Sequence, residues 1–178
     1  MCVRPSLTLT PPRPHTPLSS LCYSYTKPGN ALASLGRDLG LPYTCGLTSC
    51  YDLRFPEMFG RLCRDREDGV GGGHASDVIL VPAAFMQKTG EAHWETLLRA
   101  RAIENGCYII AAAQVGRHNN TERVSFGNSL IVSPWGEVLA RMDGVSEGYV
   151  CATLDPAVVQ QSRADMPTKH HRRPDLYN

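Results

Sequence analysis

This sequence predicts an α/β fold with a mixed β-sheet, on three observations. Asp77–Val81 and Cys107–Ala113 are continuous apolar runs, as expected of strands buried on both faces. Between them lies a long helical pattern, so the order strand–helix–strand implies neighbouring parallel strands. Beyond them, two β-type runs flank Ser133-Pro134-Trp135-Gly136, a four-residue hairpin signal that adds antiparallel strands.

The elements follow in chain order. Residues 1–44 stand apart, with Pro5, Pro11, Pro12, Pro14, Pro17, Pro28 and Pro42, and Asp38 as their first acid. Sparse apolar content and broken periodicity predict a divergent, Pro-rich disordered leader, with the folded domain over 45–178. The leader's basic, acid-poor composition also suits an organelle transit peptide, although the prolines oppose the amphipathic helix such a peptide needs. Cys45–Cys50 reads as a buried strand. Pro56 suits the first position of a helix carrying Met58, Phe59 and Leu62 on one face. Gly69-Val70-Gly71-Gly72-Gly73 lacks the flanking residues of a phosphate loop and reads as a solvent loop. Gly90–Asn105 is the clearest helix. Trp94, Leu97, Leu98 and Ala102 share one face, Glu95 and Arg99 make an i,i+4 pair, and Gly106 stops it. Ser125–Val132 and Glu137–Met142 form the hairpin. Tyr149–Thr153 reads as a last strand. Asp155-Pro156 caps and starts a helix to about Ala164, and an irregular tail follows.

Composition narrows the function classes. Forty-two per cent hydrophobic and 20% charged residues are ordinary globular values, and a net charge of +1 gives no reason to expect nucleic-acid or membrane partners. No apolar run approaches the roughly 18 residues of a membrane span. The seven cysteines, at 2, 22, 45, 50, 63, 107 and 151, are odd in number and show no metal-type spacing. They suit a reduced compartment, and with the leader's composition give the expectation of a cytoplasmic or mitochondrial protein. His170-His171 is not read as a metal site, because adjacent side chains point apart in a strand.

The stretch that carries chemistry is Gly46-Leu47-Thr48-Ser49-Cys50-Tyr51-Asp52-Leu53-Arg54-Phe55-Pro56-Glu57. A β-compatible run ends at Cys50, a polar turn follows, and a helix starts at Pro56. Backbone N–H groups at such a start favour negative charge, hence a thiolate and an oxyanion beside it.

Cys-Tyr-Asp-Leu-Arg-Phe-Pro-Glu resembles the nucleophile signature of the nitrilase, or carbon–nitrogen hydrolase, superfamily. Val81-Pro82-Ala83-Ala84-Phe85, His93-Trp94-Glu95, Leu98–Glu104, Ala111–Gln114, Pro134-Trp135-Gly136 and Arg172–Tyr177 continue the resemblance in order. The tail and the Gln114–His118 region look most like the deaminated glutathione amidases. The resemblance covers roughly Gly46 to Asn178. It implies the C-terminal part of an α-β-β-α sandwich and no cofactor. It implies homo-oligomers and a small-molecule amide substrate. The implied chemistry is amide hydrolysis through a cysteine, a glutamate base and a lysine, by way of a thioester. Cys50 matches the nucleophile and Tyr51 supplies the oxyanion-binding backbone N–H. Arg54 and Phe85 are candidate substrate-binding residues.

In the family the glutamate and lysine precede the cysteine. Here no glutamate lies upstream of Cys50; the upstream carboxylate is Asp38 and the upstream lysine is Lys27, in a Tyr25-Thr26-Lys27 that faintly echoes the family's Tyr-x-Lys. A second reading is therefore a catalytically impaired, truncated isoform acting at most through subunit association. A third is a Cys–His hydrolase using His93 or His74. Glu57 could touch substrate, and Arg117-His118 sits where an acidic substrate could be held.

Overall fold

The structure, a computed structural model, describes residues 31–36, 40–64, 74–119, 121–173 and 175–176. Its centre is three parallel strands: β2 (Cys45–Leu47), β3 (Val78–Leu80) and β4 (Tyr108–Ala111). Helix α1 (Pro56–Leu62) crosses between the first two, and α2 (Gln87–Asn105) between the second and third. β1 (Ala33–Leu35) pairs antiparallel with β2, while β7 (Leu130–Val132) pairs antiparallel with β4 and β8 (Val138–Arg141) with β7. The six-stranded order is β1-β2-β3-β4-β7-β8, a mixed sheet as expected. β5 (Val115–Arg117) and β6 (Val124–Phe126) form a separate two-stranded ribbon, and α3 (Pro156–Asp165) closes the chain of elements.

Local chemistry explains the boundaries. Pro56 opens α1 at the position where a missing N–H costs nothing. Gly106, at φ 54°, ends α2 in the left-handed conformation. The Asp155 side chain accepts from the Ala157 N–H (2.8 Å) and caps α3. The hairpin turn closes through Ser133 N–H to Glu137 O (2.8 Å) and Gly136 N–H to Ser133 O (2.9 Å).

The main core lies between the sheet and helices α1 and α2. It joins Ile79, Val81, Ile109, Leu130 and Val132 to Leu53, Phe59, Leu62, Trp94, Leu98 and Ala102. A smaller cluster of Val78, Tyr108 and Val159 gathers half-buried Tyr43, Cys45, Leu80, Ile110 and Leu154. Strand alternation separates the two: Ile79 and Ile109 belong to the first, Val78, Leu80 and Ile110 to the second.

Four elements depart from the sequence reading. Ala33–Leu35, inside the segment set apart as a leader, is β1, because β2 offers it an open edge. β2 stops at Leu47, well before Cys50. The run Ser125–Val132 is broken into β6 and β7 by Gly127 (φ 67°) and Asn128 (φ 60°), two consecutive left-handed residues that depart from the extended backbone of a strand. Tyr149–Thr153 is no strand; Tyr149 is exposed, and no neighbouring strand among the described residues receives the segment. The Gly69–Gly73 loop lies outside the described residues, as do positions 1–30 of the expected leader.

Candidate active site

Cys50 lies at the carboxyl ends of the parallel strands, where open α/β sheets place their ligand crevices. Beyond β2 the chain keeps hugging the exit of β3. Thr48 N–H donates to Leu80 O (3.1 Å) and Cys50 N–H to Pro82 O (2.8 Å). Cys50 is then the first residue of a 3-10 turn, Cys50–Arg54, that precedes α1. Its φ is 48°, in the left-handed region that non-glycine residues rarely enter unless the surroundings hold them there. The other two non-glycine residues with positive φ among those described are asparagines, which tolerate it. The thiol is half-buried against the main core.

The turn is closed at its start by Asp52, whose carboxylate accepts the Ser49 N–H (2.8 Å) while its own N–H donates to Ser49 O (3.0 Å). With the Cys50 N–H committed to Pro82, the next N–H is that of Tyr51, which meets no acceptor among the described residues. That N–H is the one the sequence reading assigned to an oxyanion.

Arg54 and Phe85 come together. The Arg54 guanidinium carbon lies 5.3 Å from the Phe85 ring centre and 5.6 Å from that of Tyr51. Phe85 is buried, with its ring centre 4.8 Å from that of Trp94, so Arg54 covers an aromatic floor that continues into the core. His93 Nδ1 is 3.4 Å from Arg54 Nη1. Arg54 carries no acceptor, so the imidazole nitrogen accepts. His93 is therefore engaged with Arg54, and among the described residues no hydrogen bond joins it to Cys50, against the Cys–His reading. His74 lies by Arg64 and Lys169, along a cavity of about 830 Å³ at the far end of α2.

Two downstream glutamates are engaged elsewhere. Glu95 pairs with Arg99 and Arg141, and Glu104 with Arg101. Glu57 is exposed in the first turn of α1. Arg117 pairs with Glu122, and His118 Nε2 meets Ser125 Oγ at 2.6 Å. Lys27 and Asp38 lie outside the described residues.

The sequence reading missed Arg101, which reaches the turn from α2. A signal was present: Arg101 falls seven residues after Trp94 and three after Leu98, on the apolar stripe, where a charge must find partners.

Set against known proteins, residues 7–164 match the family described as carbon-nitrogen hydrolase. The chain is 45% identical over 155 residues to the deaminated glutathione amidase of Mus musculus, covering 86% of this chain and 44% of that protein. It is 40% identical over 151 residues to that of Dictyostelium discoideum, covering 85% and 47%. It thus spans less than half the length of these curated relatives. Among solved structures, the Caenorhabditis elegans NitFhit protein aligns with a TM-score of 0.63 at 43% identity, covering 75% of this chain and 30% of that one. XC1258 from Xanthomonas campestris, a CN-hydrolase superfamily protein with an arsenic adduct in its active site, aligns at 0.72 and 27%, covering 89% and 57%. A variant of the amidase from Nesterenkonia sp. AN1, with an acetamide moiety covalently added at the active-site cysteine, aligns at 0.59 and 28%, covering 83% and 51%.

Proposed function

This chain belongs to the carbon–nitrogen hydrolase family, and from that premise we propose that it serves hydrolysis of a linear amide through Cys50. The thiolate attacks the amide carbon, ammonia leaves, and water cleaves the thioester. Tyr51 N–H receives the developing oxyanion, and Arg54 over Phe85 orients the acyl group. The observation that carries this reading is Cys50 itself, a non-glycine residue at φ 48° at the head of a turn whose next N–H is free of any acceptor among the described residues. The relatives named deaminated glutathione amidase support deaminated glutathione as the substrate to try. We place the protein in the cytoplasm or mitochondrion and expect it to work as a homo-oligomer.

The second reading, an impaired chain that acts through subunit association, is favoured by the lack of a glutamate upstream of Cys50. A general base contributes about 10²–10⁴-fold, so the 178-residue polypeptide alone should release ammonia slowly and accumulate a thioester on Cys50. The test is ammonia release from deaminated glutathione, with intact-mass detection of the acyl adduct and Cys50→Ala as the blank. Acylation without turnover supports both the nucleophile and the missing base. Neither acylation nor ammonia above the blank sinks the amidase reading for this polypeptide. Rapid turnover abolished by Cys50→Ala sinks the impaired one.

A further inference from the structure

We propose that Arg101 is a positioning residue for the nucleophile turn: from α2 it closes two N–H groups on the Leu53 carbonyl and so keeps the Tyr51 N–H aligned with the Cys50 sulfur. This rests on the reading of Cys50 as an amide-cleaving nucleophile. Arg101 is 5% exposed. Its Nε and Nη2 lie 3.2 and 3.0 Å from Leu53 O, and Nη1 lies 3.1 Å from a carboxylate oxygen of Glu104. The guanidinium carbon is 5.6 Å from the Phe59 ring centre, which supports the group from α1. A buried cation normally spends its donors on carboxylates. This one directs two of them at a single neutral carbonyl, and that carbonyl belongs to the 3-10 turn that Cys50 begins.

The turn needs such a hold. It is a 3-10 turn of five residues, a class of helix whose hydrogen bonds are less well aligned than an α-helix's, and it opens on a left-handed cysteine. Pro82 O and Asp52 fix its near end, through the N–H groups of Cys50 and Ser49. Arg101 fixes its far end from a different element. A lysine could offer the carbonyl only one ammonium and would not reproduce the fork.

The test separates sulfur from oxyanion site. Propionaldehyde adds the Cys50 thiol across its carbonyl: the S–C bond forms, the carbonyl π pair moves to oxygen, and the thiol proton ends on that oxygen. The adduct draws on the sulfur and the Tyr51 N–H together. Iodomethane forms an S–C bond as its C–I bond breaks, with iodide leaving and the thiol proton going to solvent; it has no carbonyl to seat, so it draws on the sulfur alone. In Arg101→Gln, aldehyde affinity at Cys50 should fall about two- to tenfold, the order of one net neutral hydrogen bond, with alkylation falling by less. Arg101→Lys should lie between. Arg99→Gln, which removes a comparable bond from the same helix to Gly136 O (2.8 Å), should keep the wild-type ratio. The proposal is overturned if Arg101→Gln keeps that ratio of aldehyde affinity to alkylation rate, or if Arg101→Lys does where the Gln variant fails to fold by circular dichroism. Wild-type protein that is alkylated at Cys50 but takes up no aldehyde overturns the amidase reading instead, and the role of Arg101 with it.

Discussion

The two faces of the six-stranded sheet are built differently. The face toward α1 and α2 is filled: Ile79, Ile109 and Val132 are fully buried against Phe59, Leu62, Trp94 and Leu98. The other face gathers Val78, Tyr108 and Val159 at the α3 end, while Cys45, Leu80 and Ile110 stay half-buried. Both faces present apolar side chains from the same strands. The difference is therefore in what covers them. The filled face is the one beside the candidate site, because α2 lies on it and brings Arg101 and His93 to the Cys50 turn. A turn held in an unfavourable conformation needs a rigid neighbour, and close packing supplies one.

Paired truncations test this most strongly. Ile109→Ala should cost about 2–5 kcal/mol, since a fully buried side chain leaves a cavity the filled face cannot collapse. Ile110→Ala, next in the same strand, should cost less than about 2 kcal/mol, because part of its apolar area already meets water. Urea denaturation of both variants gives the comparison; equal losses would mean that the two faces are equally sealed.

A smaller effect is expected from filling the packed face further. A Cβ at Gly90 would lie 2.3–2.5 Å from Phe126 ring and Cβ atoms, so α2 and β6 touch only because this residue has no side chain. Gly90→Ala should destabilise by about 1–3 kcal/mol through overpacking, despite alanine's better helix propensity. A stabilised variant in the same denaturation assay would show that α2 can move off the ribbon.

The smallest expected effect lies on the open face and depends on pH. The Tyr43 hydroxyl donates to Leu154 O (2.6 Å) and helps hold the chain leading into α3. Its phenol sits above the ordinary tyrosine range, first because burial penalises the phenolate, then because Tyr108, Asp155 and Asp77 add negative charge. A folded-state value above the unfolded one gives stability that is complete below about pH 10 and lost as pH rises through the folded value. Tyr43→Phe should therefore melt below wild type at neutral pH, with the gap closing under alkali. A gap independent of pH would mean that the hydroxyl stays protonated or contributes nothing.

Sequence alone determined the parts whose physics is local. Pro56 and Asp155 start helices, Gly106 ends one, and Ser133–Gly136 turns a hairpin, because each acts on its own backbone. The apolar runs of β3 and β4 and the stripe of Trp94, Leu98 and Ala102 were legible as burial, and the words around Cys50 singled out the turn proposed to carry the nucleophile. Only tertiary structure decided the rest. The left-handed φ at Cys50 is held by Pro82 O, a residue distant in sequence. The pairing of Arg54 with His93 and Phe85 depends on α2 crossing the turn. Ala33–Leu35 became a strand because β2 offered an edge, and Tyr149–Thr153 did not because none of the described strands receives it. A strand needs a partner that its own residues cannot supply, and a buried arginine needs an acceptor that its own helix cannot show; both are settled when the chain closes on itself.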